Sequence, residues 1–439
     1  MADTPPDFVD PALVSPPPPR EGVGAPMAVP YVPGAGRASL TGPWQRRNWR
    51  AGLLLWWREI DRVLLVMVLA LMGLGSLAVA AASPASARKL STAAVHFDDL
   101  HFFFAHLRFL ALGMVLMFAS SQLSRQNARR IGIVLGGLML CALVLVPVLG
   151  TSHNGSKRWL LGTSFQPSEF MKPAFAIMLA WILSWKGRDG RLPVMMICSG
   201  LMAVMGVLLM AQPDFGSTVL FGFVWFVLMF LSGLPLRWVG GAAAGGLVVL
   251  GLAYEFYANA RNRIDNFLSG GTAFDQVDIA RHALLGGGWT GTGLWLGTKK
   301  LGLPEAHTDY IFSVVGEEFG LLTCAVIVVL YLGIVWRVIR RLTREDEDQF
   351  TVLAGTGLVA QLGGQAFINI LVNLQLFPSK GMTLPLISYG GSSTIALCLT
   401  VGFLLAITRR NPYLHRDPFA RPAGHGGPAA GPGPTGRPQ

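Results

Sequence analysis

Ten apolar stretches, each close to one bilayer in length, run along the chain between residues 62 and 408. They lie near 62–82, 101–121, 131–150, 168–185, 193–211, 215–232, 237–257, 310–336, 351–377 and 385–408. A helix needs ~20 apolar residues to cross the hydrocarbon core. The pattern therefore predicts an all-α, polytopic integral membrane protein with about ten transmembrane helices. The fourth to sixth stretches are slightly short and need tilt or a thinned flank. Gln212-Pro213-Asp214 form a tight turn between the fifth and sixth. The seventh and eighth are separated by a long connection, residues 258–309. Loops of that length are commonly functional. Its segment GGGWTGTGLWLG, residues 286–297, is not plainly hydrophilic. It could dip toward the bilayer, which is allowed only where protein or water covers the backbone.

The flanks read differently. Residues 1–43 are rich in Pro, Gly and Ala, and 414–439 are similar. Both are expected to be disordered cytoplasmic tails. Residues 44–61 interleave Trp44, Trp49, Trp56 and Trp57 with Arg46, Arg47, Arg50 and Arg58. That mixture suits an interfacial amphipathic helix; a docking site for a partner is the sharper alternative. No cleavable signal peptide is expected in the first 60 residues. Residues 62–413 then form the ten-span membrane domain.

Composition sharpens this picture. The chain is 52% hydrophobic and only 13% charged, against roughly a quarter charged for soluble domains. A soluble enzyme and a disulfide scaffold are excluded. The net charge of +11 belongs to residues flanking apolar runs, which suits membrane orientation and not nucleic acid. Nineteen Lys and Arg lie near the spans on the side of the N-terminus and ten on the other. That bias predicts N-in and C-in. Eight of the ten fall at 157–158, 261–300 and 380, the outer segments with candidate chemistry. Cys141, Cys198, Cys324 and Cys398 each sit in an apolar run without a CxxC. They are expected to be buried small residues.

Ionisable groups near or within spans are costly, and so are functional candidates. Asp309 falls in or just before the first turn of the eighth span, where the helix dipole favours a carboxylate. It is either a general base for a sugar hydroxyl or a simple cap. His307 could donate to the same place. Glu317 and Glu318 lie about two turns deeper, at about 80° and 180° around the helix from Asp309, and need partners or water. Glu169 and Lys172 in QPSEFMKP are i, i+3 and can pair. Lys157 and Arg158 present two outward cations beside Trp159, either for phosphate or as a lipid anchor. Gln361, Gln365, Asn369 and Asn373 recur every four residues and form one polar stripe. Its plainest role is hydrogen-bonding between helices. The segment 378–393 adds Lys380, Ser388, Tyr389, Ser392 and Ser393. No Walker A, HExxH or GxSxG motif occurs.

At these residues the chain resembles the SEDS family of bacterial cell-wall proteins, whose members include FtsW, RodA and SpoVE. The resemblance is carried by KRW (157–159), QPSEFMK (166–172), QPDFGS (212–217), LPEAHTDYIFSVVGEEFG (303–320), FINILVNLQLFPSKGMTLPLISYGGSS (367–393) and RRNPY (409–413). The form KGMTLPLISYGGSS looks more like the division branch, FtsW, than the elongation branch, RodA. One stretch departs from the family: LLGTSF, between Trp159 and the QPSE motif, is shorter and less polar than usual.

The resemblance implies a peptidoglycan glycosyltransferase that polymerises lipid II at the outer face of the bacterial inner membrane during septal synthesis. It implies Asp309 as the catalytic base in an inverting displacement. Arg158, Glu169, Lys172, His307, Lys380, Ser388 and Ser392 are then expected to line the substrate site, while Lys299 and Lys300 are candidates by charge and position only. No cofactor is fixed, although a divalent cation, Mg or Mn, could share the pyrophosphate charge. Expected partners are lipid II and the undecaprenyl-pyrophosphate-linked glycan, a class B penicillin-binding transpeptidase resembling FtsI, and the FtsQ–FtsL–FtsB division complex, with no nucleic acid. A lipid II flippase, an elongation-type polymerase and a scaffold recruiting the transpeptidase are the competing readings.

Overall fold

The computed structural model describes residues 49–91, 96–153, 156–160, 162, 165–187, 192–233, 276–343, 348–378 and 381–409, with isolated positions between 234 and 275. The chain falls into two units, Met1–Gly52 and Leu53–Gln439. The first is described only through its helical residues 49–52; the membrane domain lies in the second. The seventh expected span, both tails, most of the loop before residue 276 and Lys380 lie outside the described residues.

The described elements are α1 (Trp49–Glu59), α2 (Arg62–Leu90), α3 (His101–Ser121), α4 (Arg125–Leu149), β1 (Thr151–His153), β2 (Ser156–Trp159), α5 (Pro167–Leu183), α6 (Val194–Met210), α7 (Phe215–Leu231), α8 (Gln276–Gly286), α9 (Ile311–Leu342), α10 (Gln349–Asn373) and α11 (Gly391–Ile407). Helices α2, α3, α4, α9 and α10 are long and apolar enough to cross a membrane. Helices α5, α6 and α7 are 17 residues long, the shortfall expected of the fourth to sixth spans, whereas α11, also 17 residues, starts six residues later than expected of the tenth span. The protein is a multi-pass membrane protein. Its wide outward faces of Leu, Val, Ile and Phe on α2, α3 and α4 suit lipid in place of water.

Helix ends follow local chemistry. Asp61 caps α2 by accepting from Val63 and Leu64 N–H, each at 3.1 Å. Ser124 caps α4 through Asn127 N–H, and Pro167 occupies the first turn of α5. Asp61 also binds Arg337 Nε at 2.8 Å and Arg341 at 3.1 Å. The α1–α2 junction is thereby tied to the far end of α9. Burial raises the Asp61 carboxyl pKa, and the two guanidiniums with the Leu64 N–H bring it below its usual value.

Two expectations need correction. The eighth span is not one helix: Gly320, at φ 81° and ψ 172°, breaks α9 into a short outer piece, 311–319, and a long piece, 321–342. That conformation is essentially restricted to glycine. The connection before α9 is also not structureless. It carries α8 and a 3₁₀ turn, Lys299–Gly302.

The segment 287–293 docks its backbone into the break. Thr292 and Gly293 N–H donate to the Glu317 and Glu318 carbonyls at 2.9 and 3.0 Å, and Leu321 and Leu322 N–H donate to the Gly288 and Trp289 carbonyls at 2.9 and 3.2 Å. The freed helical groups are thus met by the loop. A Cβ at Gly291 would stand 2.2 Å from the Glu318 carbonyl oxygen, so the approach requires glycine there.

Candidate active site

Asp309 sits two residues before α9, at partial exposure. Its main chain is held from below by the polar stripe of α10. Asn369 Nδ2 donates to the Asp309 carbonyl at 2.9 Å and Asn373 Nδ2 at 3.1 Å. Asn373 Oδ1 in turn accepts from Ser313 N–H and Oγ, at 3.2 and 2.7 Å, on the first turn of α9. A Cβ at Gly381 would stand 3.5 Å from Asp309 Oδ2, so the carboxylate faces the bare backbone of that residue.

The segment 381–390 walls the same place. Ser388 Oγ donates to the Thr308 carbonyl at 2.6 Å and accepts from Leu384 N–H at 2.8 Å. Tyr389 N–H donates to the His307 carbonyl at 2.9 Å. Asn369 also donates to the Met382 carbonyl at 2.7 Å, and Gln365 to the Thr383 carbonyl at 3.0 Å. Thr383 Oγ1 lies 3.2 Å from Ser393 Oγ. One α10 stripe therefore positions both the Asp309 loop and the 381–390 loop. Gln361 is the exception in the stripe, its buried Oε1 having no partner among the described residues.

Lys172 and Glu169 join this network from α5. Their side chains pair at 2.7 Å, and Lys172 Nζ reaches Gln365 Oε1 at 3.3 Å. Both are buried, and Glu169 Oε2 has no partner among the described residues. His307 is buried between Phe102, at 4.4 Å between ring centres, and Tyr389, at 5.3 Å. Burial pushes its pKa down to about 4, with Glu305 opposing part of the shift, so the imidazole is neutral at neutral pH.

The remaining expected residues part company. Arg158 lies on β2 and spends its guanidinium on the Gln212 carbonyl at 3.2 Å and the Pro213 carbonyl at 2.5 Å, with Asp214 at 4.0 Å. It braces the α6–α7 turn. Lys300 is corrected: it is buried in an ion pair with Glu318 and donates to the Ala81 carbonyl at 3.0 Å. Its charge is neutralised inside the protein and does not face an open site. Lys299 is exposed and Ser392 half-buried. Phe102 is a partner that no motif points to, its signal being only tertiary; Thr383 lies within the 367–393 motif but is not singled out there.

A membrane-embedded helical scaffold that presents the Asp309 carboxylate beside the bare backbone of Gly381 is the class that the fold and site define. The family model described as "Cell cycle protein", covering FtsW, RodA and SpoVE, matches residues 62–413. The chain belongs to this family. It is 36% identical over 369 residues to the probable peptidoglycan glycosyltransferase FtsW of Caulobacter vibrioides, covering 83% of this chain and 93% of that protein. The corresponding protein of Methylococcus capsulatus is 35% identical over 374 residues, covering 81% and 92%. Among solved structures, a chain described under "Structural coordination of polymerization and crosslinking by a peptidoglycan synthase complex" superposes with TM-score 0.65 at 26% identity, covering 80% of this chain and 97% of that one. The rod shape determining protein RodA of Thermus thermophilus gives 0.58 at 27% identity, covering 80% and 96%.

Proposed function

We propose that the chain is an FtsW-type peptidoglycan glycosyltransferase whose catalytic base is Asp309. The relatives' activity supports the reaction class. The observation that carries the residue is the pair of amide donors from Asn369 and Asn373 on the Asp309 carbonyl. They hold a carboxylate at the mouth of α9 instead of leaving it on a free loop. A base held in place is what general-base catalysis requires.

Asp309 takes the proton from the 4-hydroxyl of the acceptor sugar of lipid II. The resulting oxygen attacks the anomeric carbon of the lipid-linked glycan donor, and undecaprenyl pyrophosphate leaves. The α-linked donor gives a β-linked product in a single displacement with inversion. The Gly381 backbone lies beside Oδ2 with no side chain between them. Negative charge developing on the pyrophosphate needs cations. Lys299, exposed, and Lys380 are the candidates by charge. Lys172 and Arg158 act mainly as braces, since each is engaged by protein acceptors. Among the described residues no three of His, Cys, Asp and Glu stand close enough to hold a metal ion; a divalent ion carried by the pyrophosphate would need only one or two protein carboxylates.

A class B transpeptidase that cross-links the new strand is the expected partner. The peptidoglycan synthase complex among the structural neighbours supports it. Placement in the inner membrane at the septum, with the FtsQ–FtsL–FtsB complex, completes the proposal. Polymerisation of labelled lipid II by the purified protein with its transpeptidase tests it. Wild type should give glycan ladders, and a folded, partner-bound Asp309→Asn variant should give none. Ladders from that variant would remove Asp309 from the chemistry.

A further inference from the structure

We propose that Glu317 and Glu318 are positioning residues for the glycosyl transfer, clamping the loop that leads to Asp309; this rests on the proposed role of Asp309. Both carboxylates are buried, at 2% and 1% exposure, in a half-helix of a protein that must keep charge out of lipid. Each is fully used. Glu317 accepts the Lys299 backbone N–H at 2.6 Å and the Lys300 N–H at 2.8 Å. Glu318 accepts the Trp295 N–H, the Gly297 N–H at 3.3 Å and the Lys300 ammonium. Two adjacent acids thus gather the turn 295–300, upstream of Asp309.

Geometry gives the clamp its consequence. The half-helix 311–319 carries Asp309 just before its outer end and Glu317–Glu318 at its inner end, next to the Gly320 break. Because the break separates it from 321–342, its orientation is not inherited from the long helix. It is set by what grips it: segment 287–300 at one end, and Asn369, Asn373 and Ser388 around the other. Loosening the inner grip tilts the half-helix and moves the carboxylate relative to the acceptor hydroxyl. A displacement of ~1 Å is enough to cost ~100-fold in rate.

The clamp also contains its own rescue. Removing one member of a buried ion pair leaves the other charge uncompensated, whereas removing both relieves it. The experiment measures steady-state polymerisation of labelled lipid II by the full-length protein with its transpeptidase, for Glu318→Gln, Lys300→Met and the double variant. The activity is normalised to folded protein, with Asp309→Asn alongside. The expected result is a kcat at least about tenfold lower in each single variant, KM within about twofold, and recovery to within about threefold in the double variant. Glu317→Asp keeps the charge, shortens the reach by one methylene and is the variant that best retains the fold; its kcat should fall about tenfold at unchanged KM. Wild-type kcat in folded Glu317→Asp overturns the proposal. So does a purely structural pattern, in which folded yield falls while kcat per folded molecule stays constant. Loss of ladders in Asp309→Asn with undiminished clamp variants would sink the clamp alone. Ladders from Asp309→Asn would sink the reading beneath it.

Discussion

Replacing Asn369 with leucine isolates what the α10 stripe contributes to Asp309. The side chain is buried, and its amide serves two carbonyls, Asp309 at 2.9 Å and Met382 at 2.7 Å. Leucine has the same number and branching of side-chain heavy atoms and larger end groups, so no cavity opens. The Met382 carbonyl loses its amide donor, at about 1–3 kcal/mol for an unmet buried acceptor. The Asp309 carbonyl keeps Asn373 at 3.1 Å, so its loss is about 0.5–1.5 kcal/mol. The total, about 1.5–4.5 kcal/mol, is a large share of ordinary domain stability but does not exceed it. The variant should therefore fold with a lowered melting temperature. The rate should suffer more than the fold, because a carboxylate displaced by ~1 Å forfeits ~100-fold. Lipid II polymerisation should show kcat down by about 30- to 100-fold with KM little changed. A folded Asn369→Leu protein with wild-type kcat would refute the view that this stripe places the base.

Three further substitutions have outcomes as specific. Gly291→Ala forces a Cβ to 2.2 Å from the Glu318 carbonyl oxygen at a residue with φ 83°; it should cost more than about 3 kcal/mol and be read as loss of monodisperse protein in detergent. Arg158→Lys keeps the charge but loses the fork on Gln212 and Pro213. Its melting temperature should fall while KM for lipid II stays within about twofold, and a large KM rise would make Arg158 a substrate contact. His307 is held near pKa 4 in the folded protein against an ordinary value of 6.5. Its contribution to stability is therefore fully present above the ordinary value and is lost as pH falls toward the folded one. Melting temperature should drop more steeply with acidification across that range for wild type than for His307→Gln, and identical slopes would count against the burial argument.

Much of the scaffold could be read from apolar periodicity, because lipid imposes one strong rule on span length. The borders of α3, α6 and α7 follow it closely, while α10 ends four residues before the expected border. The break at Gly320 could not be read that way. A half-helix and a whole one share the same apolar run, and only the partner segment 287–293 shows that the ladder is interrupted. The i, i+3 pair Glu169–Lys172 was legible because helix geometry alone brings it together. Lys300–Glu318 was not, since the partners stand 18 positions apart with irregular backbone between them. The Asn369–Asn373 stripe was visible as polarity, but its target was not. Four-residue spacing says that a face is polar and cannot say that the Asp309 carbonyl waits opposite. Phe102 carried no signal at all, as a phenylalanine at the start of an apolar helix looks the same whether it faces lipid or His307.

Whether this protein makes glycan with Asp309 as its base is tested most directly by glycan ladders formed from labelled lipid II. Wild type and Asp309→Asn are each purified with the cognate transpeptidase and matched for folded protein. Ladders are expected from the wild type and none from the variant. Equal ladders from both would contradict the assignment of Asp309 as the base.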